Sequence, residues 1–179
     1  MLDRNRTILV VVDVQGRLAG LMHEKRVLFE NLKLIIRGIR ALDIPVLWAE
    51  QNPRGLGPTV PEIAETLEGL APIAKISFSC WLDETFAGAL KSSGRRQVLI
   101  AGIETHVCVY QTAMDLTAAG YEVEVVADAV SSRKPENKAL ALQKLRQAGV
   151  QNTSVEMALF ELLRVADGEP FKQILQMVK

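Results

Sequence analysis

The chain is poor in several residue types that would mark a specialised protein. It has two cysteines, two histidines and 5% aromatic residues in 179 positions. Cys80 and Cys108 lack CxxC spacing, which argues against a zinc ribbon or a dithiol redox motif, and two thiols are too few for a disulfide scaffold. Charge of one sign is also missing. Lys and Arg number 21 against 21 for Asp and Glu, so no broad positive field exists to gather nucleic acid. No apolar run reaches the length of a membrane span, and the segment Met1 to Arg6 is polar, unlike a signal peptide. The segment DVQGRLAG (Asp13 to Gly20) contains neither GxGxxG nor GxxxxGK, which weakens a nucleotide-binding reading. A protein of the cytoplasm is expected, with its thiols reduced and neither nucleic acid nor membrane as partner.

Apolar residues are abundant, at 49%, enough to cover both faces of a central sheet in one domain over 1–179. Thr7 to Asp13 (TILVVVD) is a β-branched run ending on a carboxylate, the mark of a strand buried on both faces. From Arg26 to Leu42 the apolar positions Leu28, Leu32, Ile35, Ile36, Ile39 and Leu42 follow helical spacing. Further strands are expected at Pro45 to Glu50, Ile73 to Ile76, Gln97 to Ala101, Glu122 to Ala127 and Thr153 to Met157. Helices are expected at Asp83 to Lys91, Thr105 to Ala119 and Pro135 to Ala148, with Gly120 and Gly149 as C-terminal caps and Pro135 near a helix start. Residues 51–61 are too rich in Gly and Pro for regular structure. Alternating strands and helices predict an α/β fold with three layers, a mostly parallel sheet between helices.

In such sheets ligands bind beyond the carboxyl ends of the strands. Asp13, Glu50, Lys75, Glu104 to Cys108, and Asp128 all read as strand-end residues. Thr105 as N-cap would place Cys108 in the first helical turn, where the helix dipole favours thiolate. A lone cysteine is otherwise a small buried apolar side chain. Asp13 is a general base and acid or a loop cap; Lys75 is a charge partner for a thiolate or a strand-end lysine whose stem snorkels. A first-turn cysteine is also oxidisable, which leaves a redox role open.

Three segments carry a resemblance: VVDVQ (Val11 to Gln15), AKISFSCW (Ala74 to Trp81) and AGIETHVCVYQTAMDL (Ala101 to Leu116). Together they resemble the isochorismatase-like cysteine hydrolases over roughly residues 6–163. EQNPRGLGPTVPEI (Glu50 to Ile63) and DAVSSR (Asp128 to Arg133) are similar to the branch containing the isochorismatase domain-containing proteins. The resemblance implies a Rossmann-like, six-stranded sheet and a catalytic triad of Asp13, Lys75 and Cys108. It also implies a cis peptide at Ile103–Glu104 and an oxyanion hole from the backbone N–H groups of Glu104 and Cys108. The implied activity is hydrolysis of a C–N bond in a small molecule through a thioester on Cys108, by a homo-oligomer. Nicotinamide-hydrolysing members carry an Asp-x-His metal motif; this chain has none, so no metal and no cofactor is expected. Isochorismatases proper lack the cysteine, so Cys108 favours amide chemistry over ether cleavage. Gln15, Trp48, Glu50, Phe78, Trp81 and Tyr110 are the candidates for substrate contact, although aromatics beside buried strands are often core. Cys80 and His106 read as packing and loop residues. Ser131, Ser132 and Arg133 offer polar contacts or a subunit interface. The principal rival reading is a binding or scaffolding protein that keeps the fold without catalysis.

Overall fold

The structure, a computed structural model, describes residues 1–179. In chain order the elements are β1 (Thr7–Val12), α1 (Gly16–Gly20), α2 (Lys25–Ala41), β2 (Val46–Gln51), α3 (Pro53–Leu56), α4 (Pro61–Ala64), β3 (Ile73–Lys75) and α5 (Glu84–Ser92). They continue with β4 (Gln97–Ile103), α6 (Tyr110–Ala118), β5 (Glu122–Ser131), α7 (Pro135–Gln147), β6 (Gln151–Thr153), α8 (Val155–Leu163) and α9 (Gly168–Val178). The six strands form one sheet in the order β3-β2-β1-β4-β5-β6, every neighbouring pair parallel. The α/β class and the parallel sheet expected from alternation are therefore present. No helix is long and apolar enough to cross a membrane.

Strand alternation divides the core in two. Leu9 and Val11 of β1, with Leu99, Ala101 and Ile103 of β4, face α2, α8 and α9. Ile8, Val10 and Val12, with Val98 and Ile100, face the side covered by α5, α6 and α7. On α2, Leu32, Ile35, Ile36 and Ile39 are fully buried, each burial contributing about 1.5–3 kcal/mol. The helical period read from the sequence thus corresponds to the face that packs. Gly120 and Gly149 follow α6 and α7 with φ of 84° and 91°, the left-handed turn that closes a helix. Pro135 is the first residue of α7.

Four expectations need correction. Residues 153–157 are not a strand: β6 ends at Thr153, and Ser154 caps α8 by accepting from Met157 N–H at 3.2 Å. The apolar stretch that follows closes the chain's own core through Val155, Ala158, Leu159 and Leu162. Asp128 lies within β5 rather than after it. The β4–β5 register jumps from Ile100↔Val125 to Gly102↔Val130, and Asp128 stabilises the bulged segment by accepting from Val155 N–H at 2.9 Å. Residues 53–56 form a helical turn with Pro53 at its first position, where proline costs no hydrogen bond. Thr105 is not a cap: the chain leaves β4 through one turn of π-helix, Thr105–Val109, and Thr105 Oγ1 is buried without a partner.

The strand order reverses between β1 and β4, so the crevice at a topological switch point opens beyond Val12 and Ile103. Gly102 permits the two strands to meet there. Its φ is 118°, and an added Cβ would lie 2.1 Å from the Val12 carbonyl oxygen. Gly102→Ala is expected to lower stability by at least about 2 kcal/mol, from left-handed strain and overpacking together. A urea denaturation curve would register this as a lower midpoint.

Candidate active site

β1, β3 and β4 each deliver one group to this crevice. Asp13 follows β1 in the left-handed region, with φ of 52°, a conformation that Asp tolerates better than most residues. It is 2% exposed. Lys75 closes β3 and is among the largest buried side chains in the protein; it does not snorkel to solvent. Lys75 Nζ donates to Asp13 Oδ2 at 2.8 Å, Gln51 Oε1 at 2.8 Å and the carbonyls of Ser77 and Phe78 at 3.1 and 3.2 Å. Four acceptors around one nitrogen suit an ammonium, which has donors only. Gln51 is oriented by donating its own Nε2 to the Ile76 carbonyl at 2.6 Å.

Cys108 sits in the π-helical turn after β4, a geometry often found at functional positions. Its thiol neighbours the Asp13 carboxylate closely enough that each affects the other's ionisation. Burial pushes the Cys108 thiol well above its usual range, and the Asp13 charge adds to that. The sequence reading, a helix start that favours thiolate, therefore does not describe the resting site. Burial also raises Asp13, opposed by the Lys75 charge and by hydrogen bonds from Lys75 and Cys108. Asp13 Oδ1 is buried and has no hydrogen-bond partner, which leaves a proton-acceptor position open on the carboxylate that neighbours the Cys108 thiol. The second thiol, Cys80, is fully buried and pushed by burial up to about 12.

The Ile103–Glu104 peptide is cis, as the resemblance implies. Glu104 immediately precedes the π-helical turn and Cys108 lies within it, so the pair that the resemblance names for an oxyanion hole belongs to a single local feature. Around them lies a cavity of about 280 Å³. Its polar lining is Asp13, Gln51, Glu104, Cys108 and Arg133, and its apolar walls are Leu18, Leu56, Phe78, Ile103 and Val107. No group of three or more His, Cys, Asp or Glu side chains gathers to hold a metal ion.

Of the six residues considered for substrate contact, Phe78 lines this cavity and the other five do not. Gln15 is fully buried and braces the site from behind, its amide donating to the carbonyls of Gln51 and Gly57 and accepting from Gln51 N–H at 2.6 Å. Glu50 accepts from Thr59 N–H and Oγ1, and Trp48 Nε1 donates to the same hydroxyl at 2.8 Å; both pin the 51–61 loop. Trp81 packs edge-on against Tyr121 with centroids 5.5 Å apart. Tyr110 faces away beneath Lys144, whose Nζ is 5.0 Å from the ring centroid. His106 Nδ1 lies 2.9 Å from Ser132 Oγ, tying the π-helical turn to the residue after β5. Leu18, Leu56 and Val107 gave no signal in the sequence, because their place in the wall follows from tertiary packing.

Comparison with known proteins adds a family, a relative and three solved structures. The Isochorismatase domain family matches residues 7–157. Isochorismatase domain-containing protein 2 of Danio rerio is 39% identical over 174 residues, 97% of this chain and 87% of the relative. Among solved structures, MAR1 ribonuclease of Caenorhabditis elegans superposes with a TM-score of 0.92 at 34% identity, over 99% of this chain and 91% of that one. YcaC has been solved from Pseudomonas aeruginosa with hexane-2,5-diol and covalent acrylamide, and from Escherichia coli as an octameric hydrolase of unknown specificity. These two superpose with a TM-score of 0.92 at 29% and 27% identity, each over 98% of this chain and over 90% and 89% of their own.

Proposed function

Because the chain belongs to the isochorismatase family, we propose that it is a hydrolase that cleaves the C–N bond of a small amide through a thioester on Cys108. The observation that carries this reading is the contact set Lys75–Asp13–Cys108. A buried ammonium holds one oxygen of a buried carboxylate, the other oxygen has no hydrogen-bond partner, and the Cys108 thiol neighbours the same carboxylate at the cavity wall. Such a carboxylate can receive the thiol proton as sulfur attacks, so no free thiolate is needed beforehand.

In the forward step the Cys108 sulfur bonds to the carbonyl carbon, Asp13 takes the thiol proton, and the carbonyl oxygen becomes an oxyanion facing the N–H groups of Glu104 and Cys108. The C–N bond then breaks, and Asp13 returns its proton to the departing nitrogen. Water adds to the thioester with Asp13 accepting a proton, and the acid leaves as the thiol is restored. Lys75 stays charged throughout and offsets the cost of the buried carboxylate.

The size and lining of the cavity support a small substrate with an apolar body. At about 280 Å³ it lies near the lower end of ligand pockets, and a nucleic acid strand would not fit within it. The covalent acrylamide in YcaC of P. aeruginosa agrees with a reactive nucleophile in this fold. We place the activity in a reducing compartment such as the cytoplasm, where both cysteines stay free thiols. Homo-oligomers are proposed too, by analogy with octameric YcaC of E. coli and from the exposed apolar side chains Ile76, Phe78 and Leu82 beside the site. A turnover screen over uncharged amides, with release of ammonia or amine as readout, is expected to find a substrate. If no amide turns over and Cys108 alkylates no faster than a free thiol, the binding-protein reading takes its place.

A further inference from the structure

The Glu104 side chain has no part in the chemistry above, which uses only its N–H, yet it is 6% exposed and charged. All its hydrogen bonds come from Arg133. The Arg133 N–H donates to Oε2 at 3.0 Å, Nε reaches both carboxylate oxygens at 3.2 Å, and Nη2 lies 3.2 Å from Oε1. The pairing of Ile103 with Ser131 brings these residues together from β4 and β5. Arg133 is half-exposed and lines the cavity. Two carboxylates thus border the cavity, each answered by one cation: Asp13 by Lys75, Glu104 by Arg133. An unanswered carboxylate on the residue whose N–H meets an oxyanion would oppose the charge that develops there.

We propose that Arg133 is a positioning residue that neutralises the Glu104 carboxylate, making the cavity electroneutral and suited to an uncharged amide. The inference rests on Cys108 as the nucleophile. It predicts how the field at Cys108 responds to each charge, which a merely structural arginine would not affect.

The test is the alkylation rate of Cys108 by neutral iodoacetamide and anionic iodoacetate, followed by peptide mass mapping so that Cys80 is scored separately. With either reagent the sulfur displaces iodide and the thiol proton passes to water. Arg133→Gln is expected to slow iodoacetate about tenfold or more beyond any effect on iodoacetamide, because one negative charge is left unanswered nearby. Arg133→Lys should keep the ratio within about twofold of wild type, since the charge is retained. The double variant Glu104→Gln with Arg133→Gln should return the ratio to wild type, and Glu104→Gln alone should favour iodoacetate. The last variant tests the same field if Arg133→Gln does not fold. Equal slowing of both reagents in Arg133→Gln would overturn the proposal. So would a double variant as slow toward iodoacetate as Arg133→Gln, which would mean that the guanidinium meets the reagent directly. Wild-type Cys108 reacting no faster than Cys80 would instead overturn the nucleophile assignment beneath it.

Discussion

Cys108→Ala is expected to lower kcat by about 10⁴-fold or more, roughly 5 kcal/mol of transition-state stabilisation. Deleting the sulfur removes the only side chain that faces Asp13 and could form a covalent acyl intermediate, while the Asp13–Lys75 pair, the π-helical turn and the cavity walls remain. The folded state should be nearly unaffected. Alanine should be tolerated there because a thiol is a weak donor to Asp13 and the Cys108 side chain is small. Steady-state turnover of a substrate found in the amide screen, together with a urea melt, separates the two effects. Loss of rate with an unchanged midpoint is the expected pattern.

Lys75→Met is expected to damage both activity and stability. Its Nζ answers Asp13 Oδ2, Gln51 Oε1 and two loop carbonyls, and removing one member of a buried pair costs about 3–5 kcal/mol. The loss should depend on pH in a defined direction. Burial already raises Asp13, and the two largest opposing influences come from Lys75, so the variant holds its Asp13 proton to still higher pH. A group raised on folding contributes stability that is fully present below its unfolded pKa, ordinarily near 3.8, and is lost as pH rises toward the folded value. The gap between variant and wild type should therefore be wider at about pH 8 than at about pH 5. Urea midpoints at the two pH values check this; a gap that narrows with rising pH would contradict it. Turnover should fall as well, since a protonated Asp13 cannot accept the thiol proton.

Local sequence made much of this architecture legible, for reasons of burial. A seven-residue β-branched run such as TILVVVD has no polar face and can only be a strand covered on both sides, and the Leu and Ile spacing of α2 marks its packed face. Strand-end reasoning located Asp13 and Lys75, because a parallel sheet gathers such residues at one edge. What failed depended on distant contacts. The bulge that keeps Asp128 inside β5 is stabilised by the start of α8, 27 residues away in sequence. Trp48, Trp81 and Tyr110 lie near the site along the chain, but partners such as Thr59, Tyr121 and Lys144 turn them elsewhere. Arg133 reaches the cavity only because β5 pairs with β4, and its ion pair with Glu104 spans 29 residues. A helix start alone pointed to a thiolate, but burial of the sulfur and then the Asp13 charge beside it push the thiol up, and both depend on the folded surroundings.

The most direct test of the central claim is the intact mass of the protein, quenched during turnover of an amide substrate and followed by peptide mapping. The account predicts a species heavier by the acyl group, with the added mass on the Cys108 peptide, absent when Asp13→Asn or Cys108→Ala replaces the wild type. An unmodified wild-type protein throughout turnover, together with a Cys108→Ala variant as fast as wild type, would contradict it.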